Sequence, residues 1–131
     1  STAFSESTYA ECQSGCKDHT ILPSKRINDT VRQTAIELGI DLKMGVIHSS
    51  DAFYTEESMG GWKAISERTQ TDCVEMESFA LFHNANVLGK NAACLLIISD
   101  SFVTEMALSA EERQKSFKTM MKLALEAAIK L

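Results

Sequence analysis

The sequence predicts an α/β protein, because segments with strand-like patterns alternate along it with segments that have helical spacing. The clearest strand candidate is residues 91–99, a continuous apolar run that is typical of a strand buried on both faces. The clearest helix begins at Ser109, because Ser109 and Glu112 form a capping box ahead of an apolar stripe.

The remaining elements are placed by the same patterns and by the residues that begin and end helices. Residues 1–24 have no sustained period and are interpreted as a loop or edge segment that Pro23 closes. The first helix is capped by Asn28 or Asp29, and Gly39 ends it. The predicted elements up to residue 87 are a helix over 28–38, a strand near 42–48, a loop over 49–61, a short helix over 62–68, a strand end over 72–76 and a helix over 77–87.

The composition is that of a globular protein and not of a disordered one, with 44% hydrophobic and 24% charged residues among 131. The net charge of −5 comes from interspersed acids and bases, whereas a nucleic acid partner requires a basic stripe. The longest apolar run is too short to cross a bilayer, and no signal-peptide pattern is present. We therefore expect a cytoplasmic protein that binds neither nucleic acid nor a membrane.

The cysteines favour free thiols over a metal site. Cys12 and Cys16, with His19 behind them, supply part of a zinc site, but zinc needs four ligands and no second pair completes the set. Cys73 and Cys94 lie in apolar segments and are interpreted as small buried side chains. We expect no metal in this chain.

Two acids, Glu75 and Glu77, flank Met76 at the end of a predicted strand. On a strand, residues two apart point to the same face, so both carboxylates are expected to project together. A carboxylate offers two acceptor oxygens, which suits two neighbouring sugar hydroxyls. The alternative is structural, since acids at the start of a helix interact favourably with its dipole.

A second group of polar side chains follows the apolar run of residues 91–99. Asp100 comes directly after it, where partial desolvation raises the pKa of a carboxyl group and favours proton donation. Arg113, early in the last helix, is a candidate charge partner for Asp100. Phe53 and Tyr54 offer flat rings in a loop, suited to a heterocycle. The alternatives are a turn aspartate, an exposed helical arginine and ordinary core rings.

Four short motifs together resemble the hexameric, bacterial-type purine nucleoside phosphorylases, over residues 17–131. They are Ser-Ser-Asp-Ala-Phe-Tyr at 49–54, Val-Glu-Met-Glu-Ser at 74–78, Ile-Ser-Asp at 98–100 and Ser-Ala-Glu-Glu-Arg-Gln-Lys-Ser-Phe at 109–117. Each motif alone is a weak signal, and the strength lies in their shared order and spacing.

The resemblance implies a role for each matching residue. Phe53 stacks on the purine, and Glu77 holds the 2′- and 3′-hydroxyls of the ribose. Asp100 protonates N7 of the leaving base, and Arg113 promotes that transfer. The implied site consists of Phe53, Glu75, Met76, Glu77, Ser99, Asp100 and Arg113.

The resemblance also implies a three-layer α/β/α fold with a mixed central sheet, incomplete in this chain. Residues 1–131 then form the C-terminal portion of a single nucleoside phosphorylase domain. Implied with it are inorganic phosphate as co-substrate, no further cofactor, and a homo-oligomer arranged as a hexamer of three dimers. The family's phosphate-binding residues precede the matched part and have no counterpart here.

Three questions about the function stay open at this point. A nucleosidase of the same fold hydrolyses methylthioadenosine or adenosylhomocysteine, although Arg113 favours the phosphorylase. A truncated, non-catalytic chain that binds nucleosides is the second. The third concerns the base, because Ser101-Phe102-Val103 replaces the polar and basic residues usual after Asp100, which leaves 6-oxo or 6-amino preference undecided.

Overall fold

The computed structural model of the chain describes residues 1–52 and 61–131. It contains a mixed four-stranded sheet and helices, which confirms the predicted α/β class. The elements are β1 (Thr2–Phe4), α1 (Tyr9–Ser14), β2 (Thr20–Ile21), α2 (Lys25–Leu38), β3 (Val46–Ser49), α3 (Gly61–Thr69), β4 (Cys73–Glu75), α4 (Ser78–Val87) and α5 (Ala110–Ala128). None of the helices among the described residues is long and apolar enough to cross a membrane.

The described residues divide into two compact units. The sheet unit comprises Ser1–Lys25 and Met44–Cys94, and the helix unit comprises Arg26–Lys43 and Leu95–Leu131. That the whole chain is one portion of a single domain stays a prediction.

In the sheet unit the strand order is β2-β1-β3-β4. Strand β1 runs antiparallel to β2 and parallel to β3, which is parallel to β4. The interpretation of residues 1–24 as a loop or edge segment is therefore wrong, because they contain β1, α1 and β2. Strands of three and two residues are too short to show a period, and backbone pairing of β1 with β3 and of β2 with β1 supports them instead.

The core of the sheet unit lies between its sheet and helices α1 and α4. Phe79 and Phe82 of α4 are almost fully buried and pack with Ala3, Ala10 and Ile21. Each Phe side chain buried in this way contributes on the order of 1.5–3 kcal/mol of transfer free energy. Helix α4 is therefore held firmly on the sheet, and the residues that precede it are fixed at the sheet's edge.

In the helix unit α2 and α5 share a small apolar core. Val31 and Ala35 of α2 and Leu123 and Ala127 of α5 are buried together. The predicted capping box of α5 is present, because the Ser109 hydroxyl accepts from the Glu112 N–H at 3.3 Å and Glu112 accepts from the Ser109 N–H at 2.9 Å.

The prediction of a strand over residues 91–99 is wrong for this structure, which assigns no strand there. A strand is defined by ladder hydrogen bonds, and Leu95–Ile98 have none to any other described residue. The strand predicted near 42–48 is present but begins at Val46 and ends at Ser49. An apolar run thus indicates where the side chains suit a strand, whereas hydrogen bonding to a neighbouring strand decides whether a strand forms.

Replacing Ser109 by alanine removes the side-chain cap of α5, and we expect a loss of about 1 kcal/mol in the free energy of unfolding. Hydrogen bonds from the side chain and backbone of Ser109 lower the pKa of Glu112. A carboxyl group whose pKa falls on folding stabilises the protein at pH values above its ordinary pKa. That contribution is lost as the pH drops through its pKa in the folded protein.

The measurement is urea unfolding of wild type, Ser109→Ala and Glu112→Ala, followed by circular dichroism from pH 7 to 3. The difference in the free energy of unfolding between wild type and Glu112→Ala should be largest at pH values above the ordinary glutamate pKa of 4.5 and should shrink below it. Glu111→Ala, in the same first turn without a capping bond, is the matched control. A pH-independent difference at Glu112 would contradict the assignment.

Candidate functional site

The carboxyl ends of three parallel strands meet at one edge of the sheet unit. Strands β1, β3 and β4 run in the same direction, so Glu6 and Ser50, which follow β1 and β3, and Glu75, which ends β4, lie at this edge. The Ser5 hydroxyl donates to the carbonyl of Ser49 at 2.6 Å and ties two of the strand ends together. Ligands of open α/β sheets bind beyond such carboxyl ends, which makes this edge the candidate site.

Glu75 ends β4, and its carboxylate caps the helix that follows. One oxygen accepts from the backbone N–H groups of Glu77 and Ser78 at 2.8 and 2.7 Å, and the other accepts from the Ser78 hydroxyl at 2.6 Å. The first N–H groups of a helix have no partner within it, so these bonds satisfy them and place a negative charge at the positive end. The structural alternative raised from the sequence therefore describes Glu75.

Glu77 occupies the N-cap position of α4 but makes no side-chain cap bond. Its carboxylate is exposed, and one oxygen accepts only the neighbouring Met76 N–H, at 3.2 Å. Met76 is exposed as well. The expectation that Glu75 and Glu77 project from one strand face is wrong, because β4 ends at Glu75 and the chain turns into the helix. Glu77 is thus the acid left open to a ligand.

A second polar cluster at the same edge was missed by the sequence analysis. The carboxylate of Glu6 pairs with the guanidinium of Arg68 and lies 3.5 Å from Nε2 of His48. His48 is buried, and its Nε2 has no hydrogen bond within the described residues. Glu6 and His48 lie near the ends of strands, which could have indicated the cluster, but β1 was not recognised as a strand.

In the helix unit Ser99 and Asp100 begin a tight loop. The N–H of Leu108 donates to the carbonyl of Ser99 at 2.7 Å, and Asp100 bridges to Ala107. The Ser99 hydroxyl donates to the Asp100 carboxylate at 2.6 Å. Asp100 is exposed, so the expected desolvation is absent from this structure.

Arg113 lies one turn into α5, and its N–H bonds to the carbonyl of the N-cap residue Ser109. The loop closed by Leu108 and Ser99 therefore brings the start of α5 beside the segment that carries Asp100. Within the described part of the chain, no ion pair joins the side chains of Arg113 and Asp100. The proposed partnership of these two residues stays a prediction.

Two further expectations concern rings and thiols. Phe53 and Tyr54 lie outside the described residues. Cys12, Cys16, Cys73 and Cys94 are free thiols. Over residues 1–52 and 61–131, no group of three or more potential ligands is arranged to hold a metal ion.

Cys94 is a partly buried cysteine of the sheet unit. Burial raises its pKa to about 11, and the nearby negative charges of Glu75 and Cys73 add to the effect. Its thiol packs against the core that holds Phe79 and Phe82.

Comparison with known proteins identifies the family. The family model described as the phosphorylase superfamily matches residues 3–131 of this chain. The chain belongs to the phosphorylase superfamily. Both the Glu75–Glu77 junction and the segment from Ser99 to Arg113 lie within the match.

Three relatives share the name purine nucleoside phosphorylase DeoD-type. The purine nucleoside phosphorylase DeoD-type of Mycoplasma genitalium is 40% identical over 134 residues, covering 100% of this chain and 55% of the relative. Its namesake in Mycoplasma pneumoniae is 36% identical, covering 98% of this chain and 54% of the relative. That of Clostridium beijerinckii is 44% identical over 99 residues, covering 74% and 40%. The chain thus spans about half the length of these relatives.

Solved structures show the same fold. Futalosine hydrolase of Helicobacter pylori has a TM-score of 0.76 at 21% identity, covering 99% of this chain and 57% of that one. Purine nucleoside phosphorylase of Toxoplasma gondii, solved with immucillin-H, has a TM-score of 0.76 at 16% identity, and the match covers 96% of this chain and 52% of that one. The methylthioadenosine/adenosylhomocysteine nucleosidase of Campylobacter jejuni has a TM-score of 0.75 at 19% identity, and the match covers 99% of this chain and 59% of that one. The fold is therefore common to phosphorylases and hydrolases.

Replacing Glu75 and replacing Glu77 should change the stability of the protein by different amounts. Glu75→Ala removes the cap of α4, and we expect a loss of about 1–2 kcal/mol in the free energy of unfolding. Glu77→Ala removes an exposed carboxylate and should change it by less than about 0.5 kcal/mol. Urea unfolding of both variants at pH 7 checks the difference. An equal loss in both would contradict the division between a capping and an open acid.

Cys94 should react slowly with alkylating agents, because the thiolate is the reactive form and the raised pKa keeps it scarce below pH 11. At pH 8.5 we expect the exposed Cys12 to be modified by iodoacetamide first and Cys94 last. Mass spectrometry of peptides after timed quenching gives the order. Glu75→Gln should speed modification of Cys94, since it removes a nearby negative charge; an unchanged rate would show that this charge is not sensed at Cys94.

Proposed function

We propose that the protein containing this chain cleaves purine nucleosides with inorganic phosphate, giving the free purine base and ribose 1-phosphate. The observation that carries the proposal is the 40% identity to the Mycoplasma genitalium purine nucleoside phosphorylase, which extends over the whole chain. The geometry supports it independently, because Glu77 presents an open carboxylate at the ligand-binding edge of the sheet.

In the sheet unit, the proposal assigns the ribose to Glu77 and its neighbours. The exposed carboxylate of Glu77 accepts hydrogen bonds from the 2′- and 3′-hydroxyls of the ribose, one at each oxygen. Met76 gives the sugar an apolar contact beside it. Glu75 acts as a positioning residue, because its hydrogen bonds to the Glu77 and Ser78 N–H groups fix the backbone from which Glu77 projects.

In the helix unit, the proposal assigns the purine base to Ser99, Asp100 and Arg113. As the bond between N9 and C1′ breaks, its electrons move onto the purine, and the Asp100 carboxyl transfers its proton to N7. The base then leaves neutral, and a phosphate oxygen attacks C1′ of the oxocarbenium-like sugar. Ser99, bonded to Asp100 at 2.6 Å, orients the acid, and Arg113 promotes the transfer from the start of α5. Phe53 stacks on the base.

Further properties of the whole enzyme belong to the same proposal. The chain spans 55% of the Mycoplasma genitalium relative, and the phosphate-binding groups belong to the remainder. The enzyme is a homo-oligomer, a hexamer of three dimers, and uses no cofactor besides phosphate as co-substrate. A cytoplasmic location is supported by the lack of a disulfide among the four cysteines of this chain, since disulfides are rare in reducing compartments.

The test is an assay of the natural full-length protein on inosine and adenosine, with and without phosphate. We expect base release only with phosphate, and a drop in kcat of about 10²–10⁴-fold for Asp100→Asn, the range that one general acid contributes. Asp41→Asn, an exposed acid of the same unit, is the control and should keep full activity.

The possible outcomes are distinct. Base release that does not require phosphate would identify hydrolysis, as in the nucleosidases that share the fold. Nucleoside binding without turnover would identify a non-catalytic binding chain. Undiminished activity of Asp100→Asn on both nucleosides would reject this residue as the acid while leaving the reaction in place.

A further inference from the structure

Met76 lies in the bend between strand β4 and helix α4, at the candidate edge of the sheet unit. Strand β4 ends at Glu75 and α4 begins at Ser78, so the bend consists of Met76 and Glu77. Met76 is 45% exposed, although methionine is among the residues most often buried in folded proteins. An apolar side chain that carries a sulfur atom is therefore open to solvent at the candidate site.

Hydrogen bonds fix the backbone of this bend. The Met76 N–H donates to the Glu77 carboxylate at 3.2 Å. The Glu75 carboxylate accepts from the N–H groups of Glu77 and Ser78 at 2.8 and 2.7 Å. Because these bonds hold the bend, the Met76 side chain starts from a fixed point at the edge of the sheet. A change in its chemistry therefore acts beside the open carboxylate of Glu77.

Among the described residues assigned to the proposed site, Met76 alone carries sulfur. Oxidation of methionine to the sulfoxide converts a flexible apolar side chain into a polar one, and dedicated reductases reverse the change. A residue that contacts a substrate has to be reachable before the substrate binds, so a small oxidant reaches it as well. Glu75 and Glu77 flank Met76 with negative charge, which disfavours anionic oxidants and leaves a neutral hydroperoxide as the suitable class.

We propose that Met76 is a reversible oxidation site, at which a neutral hydroperoxide weakens nucleoside binding by converting the thioether to a sulfoxide. A lone pair of the sulfur attacks one peroxide oxygen, the O–O bond breaks and an S–O bond forms. With hydrogen peroxide the other oxygen leaves as water, so the sulfur is oxidised by two electrons and the peroxide is reduced by two. The inference rests on the proposed function, because that function assigns Met76 to the ribose.

The sulfoxide changes the ribose contact in two ways. It removes the apolar surface on which the sugar packs, and its oxygen binds water that the sugar would have to displace. It also adds a hydrogen-bond acceptor beside Glu77, which competes for the ribose hydroxyls. Both changes affect the bound substrate and the transition state alike, so we expect KM to rise and kcat to be largely kept.

The experiment treats the natural full-length protein with hydrogen peroxide and follows each methionine by peptide mass spectrometry. Dithiothreitol is then added, because it reverses disulfides and sulfenic acids of the cysteines but not methionine sulfoxide. We expect a rise of about 10-fold in KM for inosine, the lower end of the range for a lost apolar contact, with kcat within about 3-fold. Methionine sulfoxide reductases A and B together should restore the original KM.

Two variants separate Met76 from the other methionines. Met76→Leu keeps an apolar side chain without sulfur, so its KM, whatever the starting value, should not change on treatment. Met121→Leu removes a similarly exposed methionine of the helix unit and should respond to peroxide as wild type does. Inosine at about ten times its Kd, without phosphate, should slow oxidation of Met76 about 10-fold and leave Met121 unaffected.

Three results would contradict the inference. One is an unchanged KM after mass spectrometry shows Met76 as the sulfoxide. Another is an equal rise in KM in Met76→Leu, which would assign the effect to a different residue. The third is a Met76 that stays unoxidised in the substrate-free protein under conditions that convert free methionine. A lack of phosphorolysis in the untreated protein would instead reject the proposed function, so the two failures are distinguishable.

Discussion

The capping of α4 by Glu75 is the interaction on which the candidate site depends. A helix that starts immediately after a strand leaves unpaired N–H groups at the point where a ligand approaches. Glu75 satisfies these groups through the Glu77 and Ser78 backbone and the Ser78 hydroxyl. Glu75 carries out this structural task, whereas Glu77 keeps an exposed carboxylate that makes no cap bond. Two acids of the same type thus have different surroundings, set by a single turn of the chain.

How much the sequence reveals depends on how local the cause of each structure is. The capping box of Ser109 and the start of α4 were predictable, because their determinants lie within a few residues. Strands β1 and β2 were not, since they exist only through pairing with residues distant in sequence. The same reason explains residues 91–99, where the pattern suits a strand but the structure provides no partner.

The site shows the same division between local and distant causes. The position of Glu77 next to a capped helix follows from the short motif around it, and the motif was recognisable. The cluster of Glu6, His48 and Arg68 joins residues far apart in sequence, and no local pattern marked it. The fold alone does not select a reaction either, because both hydrolases and a phosphorylase superimpose on this chain with similar TM-scores.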